Sequence, residues 1–171
     1  MSAHLSSPQS LLRREALRPM TVPALEGVMA IEEAIYPFPW SRGNFVDSIA
    51  AGYLAWTLNG VDGELIAYCV AMRGAAELHL LNITVTTAAQ RRGHARRLLA
   101  ELVAQARGEG METLWLEVRA SNQVARAVYL CMGFSEVGVR RNYYPAPAGT
   151  REDAIVMSLP FAGAKGFGAL D

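Results

Sequence analysis

Residues 77–107 constrain the fold more than any other stretch. A β-rich run, a turn of small residues and an amphipathic helix follow one another without a linker. Residues 77–85 predict a strand. Its alternation changes phase: Leu78 and Leu80 share one face, whereas Leu81, Ile83 and Val85 share the other. Either a β-bulge near Leu80 or Leu81 or burial on both faces accounts for the change. Residues 93–107 then carry Leu98, Leu99, Leu102, Val103 and Ala106 at helical spacing, an apolar stripe that a core has to cover.

The other elements read outward from this unit. Residues 12–18 predict a short first strand. Pro23 suits the first turn of a helix whose apolar positions are Leu25, Val28, Met29, Ile31, Ala34 and Ile35, with Glu32 the polar exception. Two prolines in Tyr36-Pro37-Phe38-Pro39-Trp40 break that helix, and Ser41 caps a second one reaching about Ala50. Residues 53–58 and 65–72 are β-rich, and the Asn59–Gly63 segment between them has turn chemistry, so a hairpin is expected. A strand at 113–118, a helix at 122–131 and strands at 134–140 and 154–159 complete the chain. In the 122–131 helix, Val124, Ala127, Val128 and Cys131 form an apolar stripe, with Asn122 and Tyr129 on the opposite face. The order β α α β β β α β α β β predicts an α/β (α+β) fold with a mixed sheet of about seven strands and flanking helices.

A chain of 171 residues, 51% hydrophobic and 19% charged, holds one domain with a proper core. That domain is expected over residues 12–160, between a polar arm at 1–11 and a Gly- and Ala-rich tail at 161–171 that frays. Sixteen Lys and Arg balance sixteen Asp and Glu, so no global field draws nucleic acid or an acidic membrane. No stretch has signal-peptide or membrane-spanning character, which points to a cytoplasmic protein, a monomer or weak dimer. Cys69 and Cys131 lie in apolar contexts without a CxxC spacing and are expected as two buried thiols. His4, His79 and His94 are too scattered for a metal centre.

The turn Gln90-Arg91-Arg92-Gly93-His94-Ala95 holds the first chemical signal. Small residues let backbone N–H groups approach a ligand, and a helix N-terminus offers unsatisfied donors and partial positive charge. Such a turn can hold a pyrophosphate, with Arg91, Arg92, Arg96 and Arg97 adding charge around it. It is neither a P-loop nor a dinucleotide fingerprint, because the P-loop's Lys-Ser/Thr pair and the fingerprint's glycine spacing are both absent.

The turn is accompanied by Leu114-Trp115-Leu116-Glu117-Val118-Arg119-Ala120-Ser121-Asn122, Ala127-Val128-Tyr129 and Met132-Gly133-Phe134, then Arg140-Arg141-Asn142-Tyr143-Tyr144-Pro145 and Arg151-Glu152-Asp153-Ala154. Together these blocks resemble the GNAT superfamily of N-acetyltransferases, and more closely its bacterial RimI type, the ribosomal-protein-alanine N-acetyltransferases. Phe38-Pro39-Trp40-Ser41 is similar to that group's loop between its first two helices, and the resemblance spans residues 16–160. Thr86-Thr87-Ala88-Ala89 departs from the Asp-Pro common in relatives, which bears on the shape of that loop.

The resemblance implies acetyl-coenzyme A as donor and the N-terminal alanine of a small-subunit ribosomal protein as acceptor. It implies that backbone at Ile83 and Val85 grips the acetyl and pantetheine portion, where the strand parts from its neighbour. Backbone from Arg91 through Arg92, Gly93, His94 and Ala95 to Arg96 would hold the pyrophosphate, and Asn122 the pantetheine arm. Glu117 would be the general base and Tyr129 the general acid, with Phe38, Pro39, Trp40 and the loop at Tyr143 and Tyr144 flanking the peptide.

The chemistry asks for such groups. An α-amine with a pKa near 7.7–8.0 must lose a proton before it attacks a thioester, and a carboxylate can take it. A phenol can protonate the departing thiolate, and a backbone N–H near Val85 can stabilise the oxyanion. Glu32, Glu33, Glu152 and Asp153 are candidate local negative charge for a basic substrate. A small-amine acetyltransferase and a non-catalytic coenzyme A-binding module are the alternatives. The aromatic loop elements argue against the first, and the intact Glu117 and Tyr129 against the second.

Overall fold

The computed structural model describes residues 15–161. Seven strands form one sheet: β1 (Ala16–Pro19), β2 (Leu54–Asn59), β3 (Leu65–Arg73), β4 (Glu77–Val85), β5 (Thr113–Arg119), β6 (Ser135–Pro145) and β7 (Arg151–Pro160). Their spatial order is β1-β2-β3-β4-β5-β7-β6, antiparallel except for the parallel β4–β5 pair. Four helices flank it: α1 (Leu25–Ile35), α2 (Arg42–Ala50), α3 (His94–Gly108) and α4 (Gln123–Cys131). The order of strands and helices is the one expected from the sequence.

Local chemistry explains the boundaries. Ser41 Oγ accepts the Asn44 N–H (3.2 Å) and the Asn44 side chain accepts the Ser41 N–H (2.8 Å), a reciprocal cap that starts α2. Pro23 lies in a short 3-10 turn that leads into α1. The Leu98, Leu99, Leu102 and Ala106 stripe of α3 is fully buried against one face of the sheet. The other face packs Ala55, Tyr68 and Val70 under Leu25, Val28 and Phe45 of α1 and α2. Strand β3 is covered on both faces, so it reads as a nearly continuous apolar run.

The phase change in β4 is a bulge. Val70 pairs with Asn82 and Ala71 with Leu80, leaving Leu81 as the extra residue. Beyond it Ile83 and Val85 pack towards the α3 side, while Asn82 and Thr84 bond to groups on the α1 side. The β4–β5 ladder runs only from Glu77↔Thr113 to Leu80↔Leu116. Above that point β4 pairs only with β3, and residues 117–119 of β5 pair only with β7. The two central strands therefore part at the middle of the sheet.

Several expectations need correction. Strand β1 begins at Ala16, and residues 1–14, including the expected arm, lie outside the described residues. Phe161 is not frayed: it is buried, its N–H donates to Glu112 C=O (2.8 Å), and the Arg107 guanidinium sits 5.3 Å from its ring centroid. The rest of the tail lies outside the described residues. Tyr143 and Tyr144 belong to the end of β6, which runs past a register shift between Arg140 and Tyr144 rather than ending at Arg140. Cys69 is buried, and burial pushes its thiol up to about 12, but Cys131 is exposed.

Helix α4 is turned relative to the expected face. Tyr129 is buried in the main core, whereas Val124 is 76% exposed. Hydrophobicity alone assigned the stripe, but a tyrosine carries a large apolar ring that a core accepts as readily as a valine.

Candidate active site

The parting of β4 and β5 opens two adjoining cavities, of about 310 and 690 Å³. Tyr36, Ile83, Asn122 and Tyr129 line both, so the two meet at the splayed strands. Thr86 N–H donates to Ile66 C=O on β3 (2.8 Å). Bonding alternates along an antiparallel ladder, so Ile83 and Val85 direct their backbone groups to the side that β5 has left.

The larger cavity is walled by the start of α3 and by α4. Gly93, the N-cap of α3, has φ 87°, and Arg91 has φ 62°. Left-handed residues of this kind turn backbone amides into concave anion-binding surfaces, here at a helix N-terminus. Arg91, Gly93, His94, Ala95 and Arg96 line this cavity; Arg92 does not. His94 is buried with Nδ1 3.5 Å from Glu15 Oε2, and its Nε2 has no hydrogen-bond partner among the described residues. Asn122 caps α4 by accepting the Ala125 N–H (3.1 Å). The exposed Val124 forms part of the apolar wall.

The smaller cavity holds the carboxylates, Glu32 and Glu117. Glu117 lies on its wall with Oε1 3.1 Å from Arg140 Nη2. The Tyr144 hydroxyl donates to Glu117 C=O (3.0 Å), and the Arg119 guanidinium sits 4.6 Å from the Tyr144 ring centroid. Burial pushes the Tyr144 phenol upward, and burial does the same to Tyr129. No hydrogen bond to the Tyr129 hydroxyl forms among the described residues. Phe38, Trp40 and Tyr144 line the cavity, but Pro39 and Tyr143 do not. Tyr143 packs edge-on against Tyr144 at 5.0 Å and is 42% exposed.

Glu32, expected only as one of four acidic groups offering local charge to a basic substrate, lies in the cleft itself. It is only 2% exposed and lines the smaller cavity. It accepts the Trp40 N–H (2.9 Å), the Tyr68 hydroxyl, and the Asn82 amide at 3.3 Å from both carboxylate oxygens. The signal was its place as the one polar residue in the apolar stripe of α1. Of the other acidic residues expected to form surface charge, Glu152 binds Arg119 and the Ser121 N–H, and Asp153 accepts the Asn142 N–H.

Among the described residues no group of three or more His, Cys, Asp or Glu could hold a metal ion, and no helix is long and apolar enough to cross a membrane.

Comparison with known proteins places the chain in a family. Residues 25–134 match the model of the acetyltransferase (GNAT) family. The [ribosomal protein bS18]-alanine N-acetyltransferase of Escherichia coli K12 is 42% identical over 132 residues, 77% of this chain and 88% of that one. Its counterpart from Haemophilus ducreyi is 40% identical over 129 residues, 75% and 88% of the two chains. The crystal structure of the ribosomal-protein-S18-alanine N-acetyltransferase from Escherichia coli superposes with a TM-score of 0.81 at 37% identity, covering 91% of this chain and 99% of that one. With a family match over most of the domain and relatives of this similarity, the chain belongs to the GNAT family of acetyltransferases.

Proposed function

We infer that the protein transfers the acetyl group of acetyl-coenzyme A to the N-terminal amine of a protein, with the alanine terminus of ribosomal protein bS18 as the substrate class. The observation that carries this reading is the pair of cavities joined at Tyr129, one lined by a helix N-terminus and one by carboxylate and aromatic side chains. The names of the relatives at about 40% identity support the acceptor.

The larger cavity suits the nucleotide thioester. Its concave amides, Arg91 and Arg96 fit a pyrophosphate, and His94 Nε2, without a partner among the described residues, fits a polar group of the ligand. Val124, Ala125 and Val128 fit the aliphatic arm. The backbone N–H groups of Ile83 and Val85 and the Ile83 C=O then hold the thioester at the parting of the strands, while the Val85 C=O accepts the Gln90 side-chain amide (3.2 Å). An N–H there faces the oxyanion that develops on the carbonyl oxygen.

The step balances within this cleft. The amine nitrogen forms a bond to the thioester carbonyl carbon and loses a proton to Glu117. The tetrahedral intermediate collapses, the carbon–sulfur bond breaks, and the thiolate takes the Tyr129 proton. Burial keeps that phenol protonated, the form a proton donor needs.

A peptide panel tests the reading. Peptides beginning Ala-Arg, polyamines and an aminoglycoside are incubated with the enzyme and acetyl-coenzyme A and followed by mass spectrometry. Acetyl on the peptide α-amine is expected; modification of the small amines alone overturns the acceptor assignment. Glu117→Gln and Tyr129→Phe should each lower kcat by about 10²–10⁴-fold. Turnover within about twofold of wild type would remove the residue from its assigned role.

A further inference from the structure

Two carboxylates line the smaller cavity, and their charges are balanced differently. Glu117 is ion-paired with Arg140. Glu32 faces no Lys, Arg or His within ion-pair distance among the described residues. Its partners are the Trp40 N–H, the Tyr68 hydroxyl and the Asn82 amide, all neutral donors.

The donors are oriented as a chain that ends on Glu32. Thr84 Oγ1 donates to Asn82 Oδ1 (3.0 Å), which turns the Asn82 NH2 towards Glu32. With its proton committed there, Thr84 accepts from the Tyr36 hydroxyl (2.9 Å). Every contact of both Glu32 oxygens is therefore an acceptance, the pattern of a charged carboxylate. A buried charge that meets only neutral donors is compensated in part, and what remains acts on a cation that enters the cavity beside it. Its wall is the cavity that takes the amine.

The geometry points to Glu32 as the specificity-determining residue that reads the positive charge of the incoming α-ammonium, before Glu117 passes its first proton to water and takes the second as the nitrogen attacks. This rests on the assignment of the smaller cavity to the acceptor. It divides two tasks between two carboxylates: attraction of the cation by the one without a protein counter-charge, and proton removal by the other. The same carboxylate ties the Trp40 backbone to the sheet, so the loop between α1 and α2 is held in place by the group that reads the substrate.

The test compares two ligands on enzyme loaded with coenzyme A. One is a peptide beginning Ala-Arg; the other is its des-amino analogue, with a propanoyl group in place of the alanyl residue. Calorimetry gives the ratio of their dissociation constants. Wild type should favour the ammonium peptide by about tenfold or more. Glu32→Gln should bring the ratio to about one, whereas Glu117→Gln and Tyr68→Phe should keep most of it. Tyr68→Phe removes a hydrogen bond from the same network without removing the charge. The inference is overturned if Glu32→Gln keeps the wild-type ratio, or if Tyr68→Phe or Glu117→Gln abolishes it as fully. A wild-type ratio near one overturns it without any variant, should Glu32→Gln fail to fold. Failure of the wild type to acetylate any peptide is a separate result that removes the acceptor assignment instead.

Discussion

Tyr129 carries two loads at once. Its ring fills the core beside Phe134, with centroids 5.6 Å apart, and its position on both cavity walls puts it at the point of transfer. Burial raises the pKa of the phenol, so the neutral, donating form persists as pH rises and is lost only above the ordinary tyrosine value of about 10. Between about pH 6 and 10 the rate should rise as the substrate amine loses its proton near 7.7–8.0, with no alkaline fall due to Tyr129. Tyr129→Phe should lower kcat by the same factor at every pH in that range. A factor that shrinks towards pH 10 would show the phenol ionising there and contradict this placement. That Glu117, Tyr129 and Asn122 lie on one cleft was legible in the sequence. Which side of α4 Tyr129 takes was not legible, because its ring is as good a core filler as the valines around it. Glu32 was legible as a candidate charge but its burial in the cleft was not, since its donors come from residues 40, 68 and 82.

At the level of elements, two irregularities make the cleft. The Leu81 bulge sends Asn82 and Thr84 to one side of β4 and Ile83 and Val85 to the other, and β5 leaves β4 immediately above it. The phase change in the sequence announced the bulge. The end of the β4–β5 ladder had no local signal, because pairing depends on a strand more than thirty residues away. The N-terminus of α3 is the second irregularity. Gly93 holds φ 87°, and a Cβ built there meets nothing within 4 Å. Substitution therefore costs conformational strain rather than a clash, about 1–2 kcal/mol. Gly93→Ala should raise the KM for acetyl-coenzyme A several-fold and leave the peptide KM unchanged. Equal effects on both would mean that this turn is not a nucleotide site.

Across the whole molecule, one sheet with helices on both faces divides the labour. The face under α3 and α4 carries the larger cavity, and the face under α1 and α2 supplies Glu32, Tyr36 and Trp40 to the smaller one. The order of elements was readable from hydrophobic period and turn chemistry, but the end of β6 was not. Tyr143 and Tyr144 lie beyond a register shift where Asn142 has φ 51°, a feature that looks like a loop in sequence. If the two cavities serve one transfer, a single molecule that spans both should bind far better than either half. Coenzyme A joined through an acetyl bridge to the α-amine of an Ala-Arg peptide is that molecule. Titrated calorimetrically, it should bind at least about 100-fold more tightly than coenzyme A or the peptide alone. A conjugate that binds no better than coenzyme A would mean that the cavities do not act together, and would contradict the account.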